Sequence, residues 1–266
     1  MKKTIPIEFV YQVFSLLIAI IMVHAIYVAV IRPNADAFME QEFALMKADS
    51  EYVQKRSLFV VIRDFEQEAC FVLALWAFSI MGYKGYSSYR ERRLLETLSD
   101  DEEEHIALDL DTEKLSRRLD ALPPTAREGL LPRAAAAALH RFSASGNVQD
   151  ASAAAREVCQ TEGDRLESEL SIIRYIAWAI PSIGFIGTVR GISDALAQAH
   201  RAVEGDITGV TQSLGVAFNS TFVALAISIV VMFFVHQLQL AQERIVLETE
   251  NYCDRYLIHR LKRSRG

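Results

Sequence analysis

The stretch AIPSIGFIGTVRGIS, from Ala179 to Ser193, holds three glycines, a proline, a threonine and a single charge, Arg190. Around it the chain is free of Asp, Glu, Lys and Arg from Tyr175 to Val189 and continues past Arg190 through Gly191 and Ile192. Ala177, Pro181, Gly184, Thr188, Gly191 and Ala195 are spaced alternately four and three apart, so they share one helical face. That face carries a proline, a threonine and otherwise only small residues. In a bilayer, where lipid gives no hydrophobic drive for helix association, such a face lets backbones approach closely.

Three other stretches lack those charges: Phe9 to Ile31, Ala69 to Tyr83 and Ile207 to Gln242. A hydrocarbon core of about 30 Å needs about 20 apolar residues at a rise of about 1.5 Å each. The first and last stretches meet that length. Ala69 to Tyr83 is shorter and has the length of a buried soluble helix, but Phe65 extends it, and Tyr86 and Tyr89 suit a membrane interface. With 51% hydrophobic and 23% charged residues in 266, the charge is segregated outside four spans. The sequence predicts an all-α polytopic membrane protein: a first transmembrane helix within 1–32, an extracytoplasmic segment 33–67, a second span 68–86, a helical cytoplasmic loop 87–171, a third span 172–196, a short periplasmic loop 197–209, a fourth span 210–237 and a helical tail 238–266. Lys2 and Lys3 before an apolar run imitate a signal peptide, but the run is too long for one.

Basic residues set the orientation. Lys2 and Lys3 precede the first span, Lys84, Arg90, Arg92 and Arg93 follow the second, Arg156, Arg165 and Arg174 precede the third, and Arg244, Arg255, Arg260, Lys262, Arg263 and Arg265 follow the fourth. Only Arg201 lies between the third and fourth. The positive-inside rule then places both termini and the long loop in the cytoplasm. Arg32 to Glu68 falls outside and is acidic on balance. Within the loop, helical pieces are expected at Arg90 to Leu98, from Asp100 to Glu104, Ala134 to Leu139 and Ala151 to Val158, broken at Pro123, Pro124 and Ser143 to Asn147. Apolar residues recurring after the fourth span, from Leu238 to Leu261, predict that its helix continues beyond the membrane.

The fourth span carries a comparable small stripe, Ser213, Ala217, Ser220, Thr221, Ala224 and Ser228, beside bulky Phe218, Phe222 and Leu225 that suit lipid or neighbouring subunits. Two readings of Thr188 and Thr221 stand side by side. Each hydroxyl bonds back to a carbonyl of its own helix and packs, or the pair, with Ser220 and Asn219, lines a polar route. Neither span holds an Asp or Glu in its apolar core, so a proton-carrying carboxylate on such a route has to come from elsewhere. Arg190 either snorkels or pairs with Asp194 one turn on, or serves as a gate or partner contact. His24 is read as a hydrogen-bonded core histidine, with a proton relay as the alternative.

Other chemistry finds little footing. Cys70, Cys159 and Cys253 have no metal-ligand spacing and read as reduced structural thiols. His105 and His140 stand alone, and no nucleophile elbow, HExxH or phosphate-binding glycine loop occurs, which argues against an enzyme, a metal site or a cofactor. A net charge of -6 argues against nucleic-acid binding, and the basic tail Arg260 to Arg265 reads as an anchor to anionic lipid.

The third span resembles the AP-small-GLLGTVxGM signature of the MotA/TolQ/ExbB proton channel family, with Pro181, Gly184, Gly187, Thr188 and Gly191 on matching positions. The fourth, SLGVAFNSTFVALAISIVV from Ser213, is similar to the family's threonine-bearing span, with Thr221 on that threonine. It departs from the pattern at Ala224, where glycine is usual, and at Val230, where proline is frequent. The resemblance covers Ile172 to Leu240. It implies a channel-forming, stator-type subunit of an inner-membrane motor, a homopentamer around two copies of a single-span MotB/TolR/ExbD-like partner whose membrane aspartate takes and releases protons. Protons or sodium would be the coupling ion, with Thr188, Thr221, Ser220 and Asn219 along its pathway and Pro181, Gly184, Gly187, Gly191, Ala217 and Ala224 packing the helices. An ion-motive force supplies about 2.3 kcal/mol per charge per 100 mV for such work. The alternative is a non-conducting scaffold that recruits cytoplasmic partners.

Overall fold

In the computed structural model, residues 7–48, 55, 57–105, 117, 119, 121 and 123–258 are described. Lys2, Lys3, Asp49, Glu51 and the basic tail from Arg260 to Arg265 lie outside them. Helices dominate: α1 Ile7–Ile26, a π-helical turn Tyr27–Ile31, α2 Arg32–Ala48, α3 Leu58–Val61, α4 Phe65–His105, α5 Pro124–Arg127, α6 Leu130–Ser145, α7 Val148–Ala197, α8 Ala199–Val203, α9 Thr208–Tyr252 and a closing π segment Cys253–Ile258. Four helical runs among the described residues are long and apolar enough to cross a membrane: Glu8–Met46, Phe65–Thr97, Val148–Ala197 and Thr208–Arg255. The chain is an all-α, multi-pass membrane protein.

The helices are longer and fewer than the sequence signals suggest. The first apolar run does not end near Arg32 but continues as helix to Ala48. The pieces expected at 90–98 and 100–104 are the end of α4 itself, and the alanine-rich piece from Ala151 to Val158 opens α7. Pro33 falls at the second residue of α2 and Gly163 inside α7, and the helices run on regardless, because tertiary packing holds them together across a change from apolar to charged sequence. Breaks fall where capping chemistry provides for them. Gly146 ends α6 at φ 64°, a left-handed conformation glycine adopts without strain, and its N–H reaches the Phe142 carbonyl. Asn147 then caps α7 by accepting the Gln149 N–H at 2.9 Å. As its periodicity predicts, α9 runs unbroken for 45 residues.

The chain divides into two compact units, one of residues 1–81 and 172–235, the other of 82–171 and 236–266. In the first, α1 and α4 are tied by the Tyr11 hydroxyl on Ser79 and by Trp76 Nε1 donating to the Gln12 carbonyl at 2.9 Å. Val23, Tyr27 and Ile31 pack against Phe71, Val72 and Leu75. Large apolar side chains such as Phe14, Ile21, Trp178, Phe222 and Ile229 point outward, as they do where lipid replaces water.

The second unit has its own core of Leu95, Leu130, Leu131, Ala134, Ala138, Leu139, Ala151, Ala155, Cys159 and Cys253. The three cysteines are buried and form no disulfide. Glu91 of α4 accepts the backbone N–H of Leu130 and so caps α6 from another helix. A ladder of charges joins α4, α6 and α7: Lys84 to Glu169 at 2.7 Å, Arg165 to Glu169 and to Glu162, and Arg133 to Glu162 at 3.0 Å.

Candidate functional site

The small stripes of α7 and α9 meet face to face. A Cβ built on Gly184 would overlap Ala224, one on Gly187 would lie 2.6 Å from Ser220, and one on Gly191 would lie 2.8 Å from Ala217 and from the Ser213 carbonyl. Residue numbers rise along one helix as they fall along the other, so the pair is antiparallel. Ala177, Gly184, Gly187, Gly191, Ala217, Ser220 and Ala224 are buried in the contact. Phe218, Phe222 and Leu225 point away from it, as their bulk predicts.

Hydroxyl groups stitch this interface. Thr188 and Thr221 hydrogen-bond each other, and each also reaches the carbonyl one turn before the other: Thr188 Oγ1 to Ala217 O at 3.0 Å, Thr221 Oγ1 to Gly184 O at 3.1 Å. Thr188 lies in addition 3.3 Å from Gly184 O in its own helix. The expected bond back to the own helix is thus present for Thr188, and both hydroxyls also bond across to the facing helix. Two hydroxyl protons face the carbonyls of Gly184 and Ala217 and each other's oxygen, so acceptors outnumber protons. Such a pair can rotate between bonding patterns without leaving a donor unsatisfied. Both threonines are half-buried. Ser220 is buried and donates to the Val216 carbonyl at 2.8 Å, while Asn219 is half-buried and takes no part in these bonds.

Pro181 has no N–H to give the Ala177 carbonyl, which an α-helix would otherwise satisfy. Ser228 of α9 donates its hydroxyl to that carbonyl at 3.0 Å. Proline and serine thus form a matched pair. Ser228→Ala is expected to lower stability in detergent by about 1 kcal/mol, because it leaves a carbonyl unpaired in an apolar interface. In a Pro181→Ala background the same change is expected to cost almost nothing. A double-mutant cycle showing equal losses in both backgrounds would contradict the pairing.

Arg190 turns out to have a stronger partner than the expected Asp194. Its guanidinium holds Glu66 of α4 in a two-pronged bond, Nε to Oε1 at 2.7 Å and Nη2 to Oε2 at 2.8 Å, and lies 3.9 Å from Asp194. Glu66 was invisible to the sequence argument because the contact spans 124 positions. Acids at the start of an apolar run read as ordinary helix N-terminal residues. His24 is hydrogen-bonded as expected, to Glu68 at 2.7 Å, but it is not a core residue: its side chain is 57% exposed. Glu68 also holds Arg32. Among the described residues no group of three or more His, Cys, Asp or Glu is placed to hold a metal ion.

Comparison with known families picks out the same helices. The model of the MotA/TolQ/ExbB proton channel family matches residues 126–251, a segment that includes all of the α7 and α9 contact described above. No curated protein matches the chain.

Proposed function

We propose that this chain, whose residues 126–251 match the model of the MotA/TolQ/ExbB proton channel family, is the ion-conducting, stator-type subunit of an inner-membrane motor. The observation that carries the reading is the Thr188 and Thr221 pair: two hydroxyls bonded to each other, a carbonyl acceptor shared at Gly184, and no acid among the apolar residues of either span. Hydroxyls that can exchange bonding patterns hydrate and guide a passing ion, but they cannot carry a proton across hydrocarbon alone. The carrier is a carboxylate on a second polypeptide, a single-span protein of the MotB/TolR/ExbD kind with an aspartate in its membrane helix. Five copies of the present chain surround it, with both termini in the cytoplasm and a proton or sodium ion as the coupling ion. Ser220 and Asn219 extend the polar lining, and Pro181, Gly184, Gly187, Gly191, Ala217 and Ala224 hold the two helices close enough to form it. Arg190 acts at its entrance.

The test uses cells expressing the chain from its own locus, so that whatever it assembles with is present. Thr188→Ala or Thr221→Val is expected to lower ion-driven output by about tenfold, equivalent to about 1.4 kcal/mol, with unchanged chain abundance. Thr188→Ser is expected to keep most of the output because it keeps the hydroxyl. The chain is also expected to co-purify with a small single-span protein. Wild-type output from both threonine variants would remove their assigned role, and the absence of any acidic single-span partner would favour the scaffold.

A further inference from the structure

Glu66 is the acid that α4 brings to the threonine site. Its side chain is only 12% exposed although it lies in the first turn of its helix. Its Cγ stands 3.0 Å from the point where a Gly187 Cβ would be, and the Ser220 hydroxyl stands 2.6 Å from that same point. Glycine at 187 therefore makes room for an acid and a hydroxyl together, one residue before Thr188 in α7 and one before Thr221 in α9. The carboxylate does not face this polar patch freely, because both of its oxygens are held by Arg190.

Arg190 in turn lies among three carboxylates, Glu66, Asp194 and, acting electrostatically from just before α4, Asp64. Glu66 is close and shielded, while Asp194 is 3.9 Å away and 56% exposed. The guanidinium, itself 43% exposed, has a ready second partner one helical turn along. Moving to it uncovers the Glu66 carboxylate beside Ser220 and the threonines. For a route that carries a cation, the two charges have opposite effects: the arginine repels the ion and the carboxylate draws it in.

We propose that Glu66 is the ion-loading carboxylate at the entrance of the threonine route and that Arg190 is its gate, covering Glu66 when closed and resting on Asp194 when open. The proposal rests on the ion-route reading of Thr188 and Thr221. The cation it takes is a proton or sodium, and the chemistry of a carboxylate beside hydroxyls serves either.

A merely structural ion pair and a gate differ in the sign of single substitutions. The measurement is the decay of an acid pulse in everted membrane vesicles from cells carrying the chain at its own locus, taken as the excess over vesicles from a locus-deleted strain and normalised to chain abundance by immunoblot. Glu66→Gln, which leaves the arginine uncompensated, is expected to lower that excess by on the order of tenfold. Arg190→Gln, which leaves the carboxylate uncovered, is expected to raise it by on the order of tenfold. The double variant is expected to stay within about twofold of Glu66→Gln alone, because uncovering position 66 achieves nothing once the loading carboxylate is gone. Repeating the assay with and without sodium separates the two ions. Single variants that move the excess in the same direction, or leave it unchanged, overturn the gate. A Thr188→Val variant is run beside them: if it leaves the excess intact, the ion route itself fails, whereas a fall with Thr188→Val and like-signed single variants removes only the gate.

Discussion

Leucine at position 191 is expected to leave little folded chain in the membrane. A single methyl at Gly191 would already lie 2.8 Å from the Ala217 Cβ, the Ala217 backbone nitrogen and the Ser213 carbonyl. Two of these three are backbone atoms of a helix that cannot yield without parting from α7. Overpacking of a tight core costs about 1–3 kcal/mol for modest additions, so Gly191→Ala is expected to fall in that range and Gly191→Leu beyond it. Separation of α7 and α9 would also break the reciprocal threonine bonds, since these depend on the same approach. Gly82→Ala serves as the control, because nothing stands within 4 Å of its would-be Cβ. Equal thermal midpoints in detergent for wild type and Gly191→Leu would show that the helices do not pack as described.

Glu169→Ala is the second large effect. Lys84 has a side-chain exposure of 6% and Glu169 of 21%, and they meet at 2.7 Å. Removing the acid strands a buried ammonium, a loss of about 3–5 kcal/mol. Lys84→Met should cost far less, because the carboxylate keeps Arg165 at 2.9 Å and the methionine refills the space. That asymmetry is the readout, and equal losses would argue against a charge that is truly shielded.

Acidification gives an independent check on the same group. Burial pushes the Glu169 carboxyl up, but hydrogen bonds from Lys84 and Arg165 outweigh it and hold the group below the usual carboxylate range. A lowered folded-state value means the stabilisation is complete above the ordinary carboxylate pKa and is lost as pH falls from there through the lower folded value. Glu91, raised mainly by burial, contributes with the opposite sign. The comparison is therefore wild type against Glu169→Gln over that acidic window, in which the difference between the two should shrink as pH falls.

The spans and their packing face were legible from local pattern. Charge-free length marks a membrane helix, and small residues alternating four and three apart mark where its backbone is approached. The threonine pair was legible as two polar points on two such faces, and the antiparallel pairing that brings them together follows from the short connection between α7 and α9. What local pattern does not carry is the long-range pairing of charge. Glu66 meets Arg190 and Lys84 meets Glu169 across 124 and 85 positions, and nothing in the neighbourhood of either acid announces its partner. The Ser228 and Pro181 match belongs to the same class. A proline predicts an orphaned carbonyl at Ala177, but only the fold reveals which hydroxyl answers it.

The π turn at Tyr27–Ile31 has a consequence for how α1 and α2 behave as one rod. Ser15, Ala19, Val23, Tyr27, Ile31 and Ala35 are buried, one every four residues, and each such step overshoots an α-helical turn by about 40°. Left alone, the surplus would wind the greasy seam steadily around to the far side. The wider turn, closed by the Arg32 N–H on the Tyr27 carbonyl, gives back part of that rotation midway. It works as a leap day does in a calendar, a single irregular interval that keeps a slightly mismatched count in season.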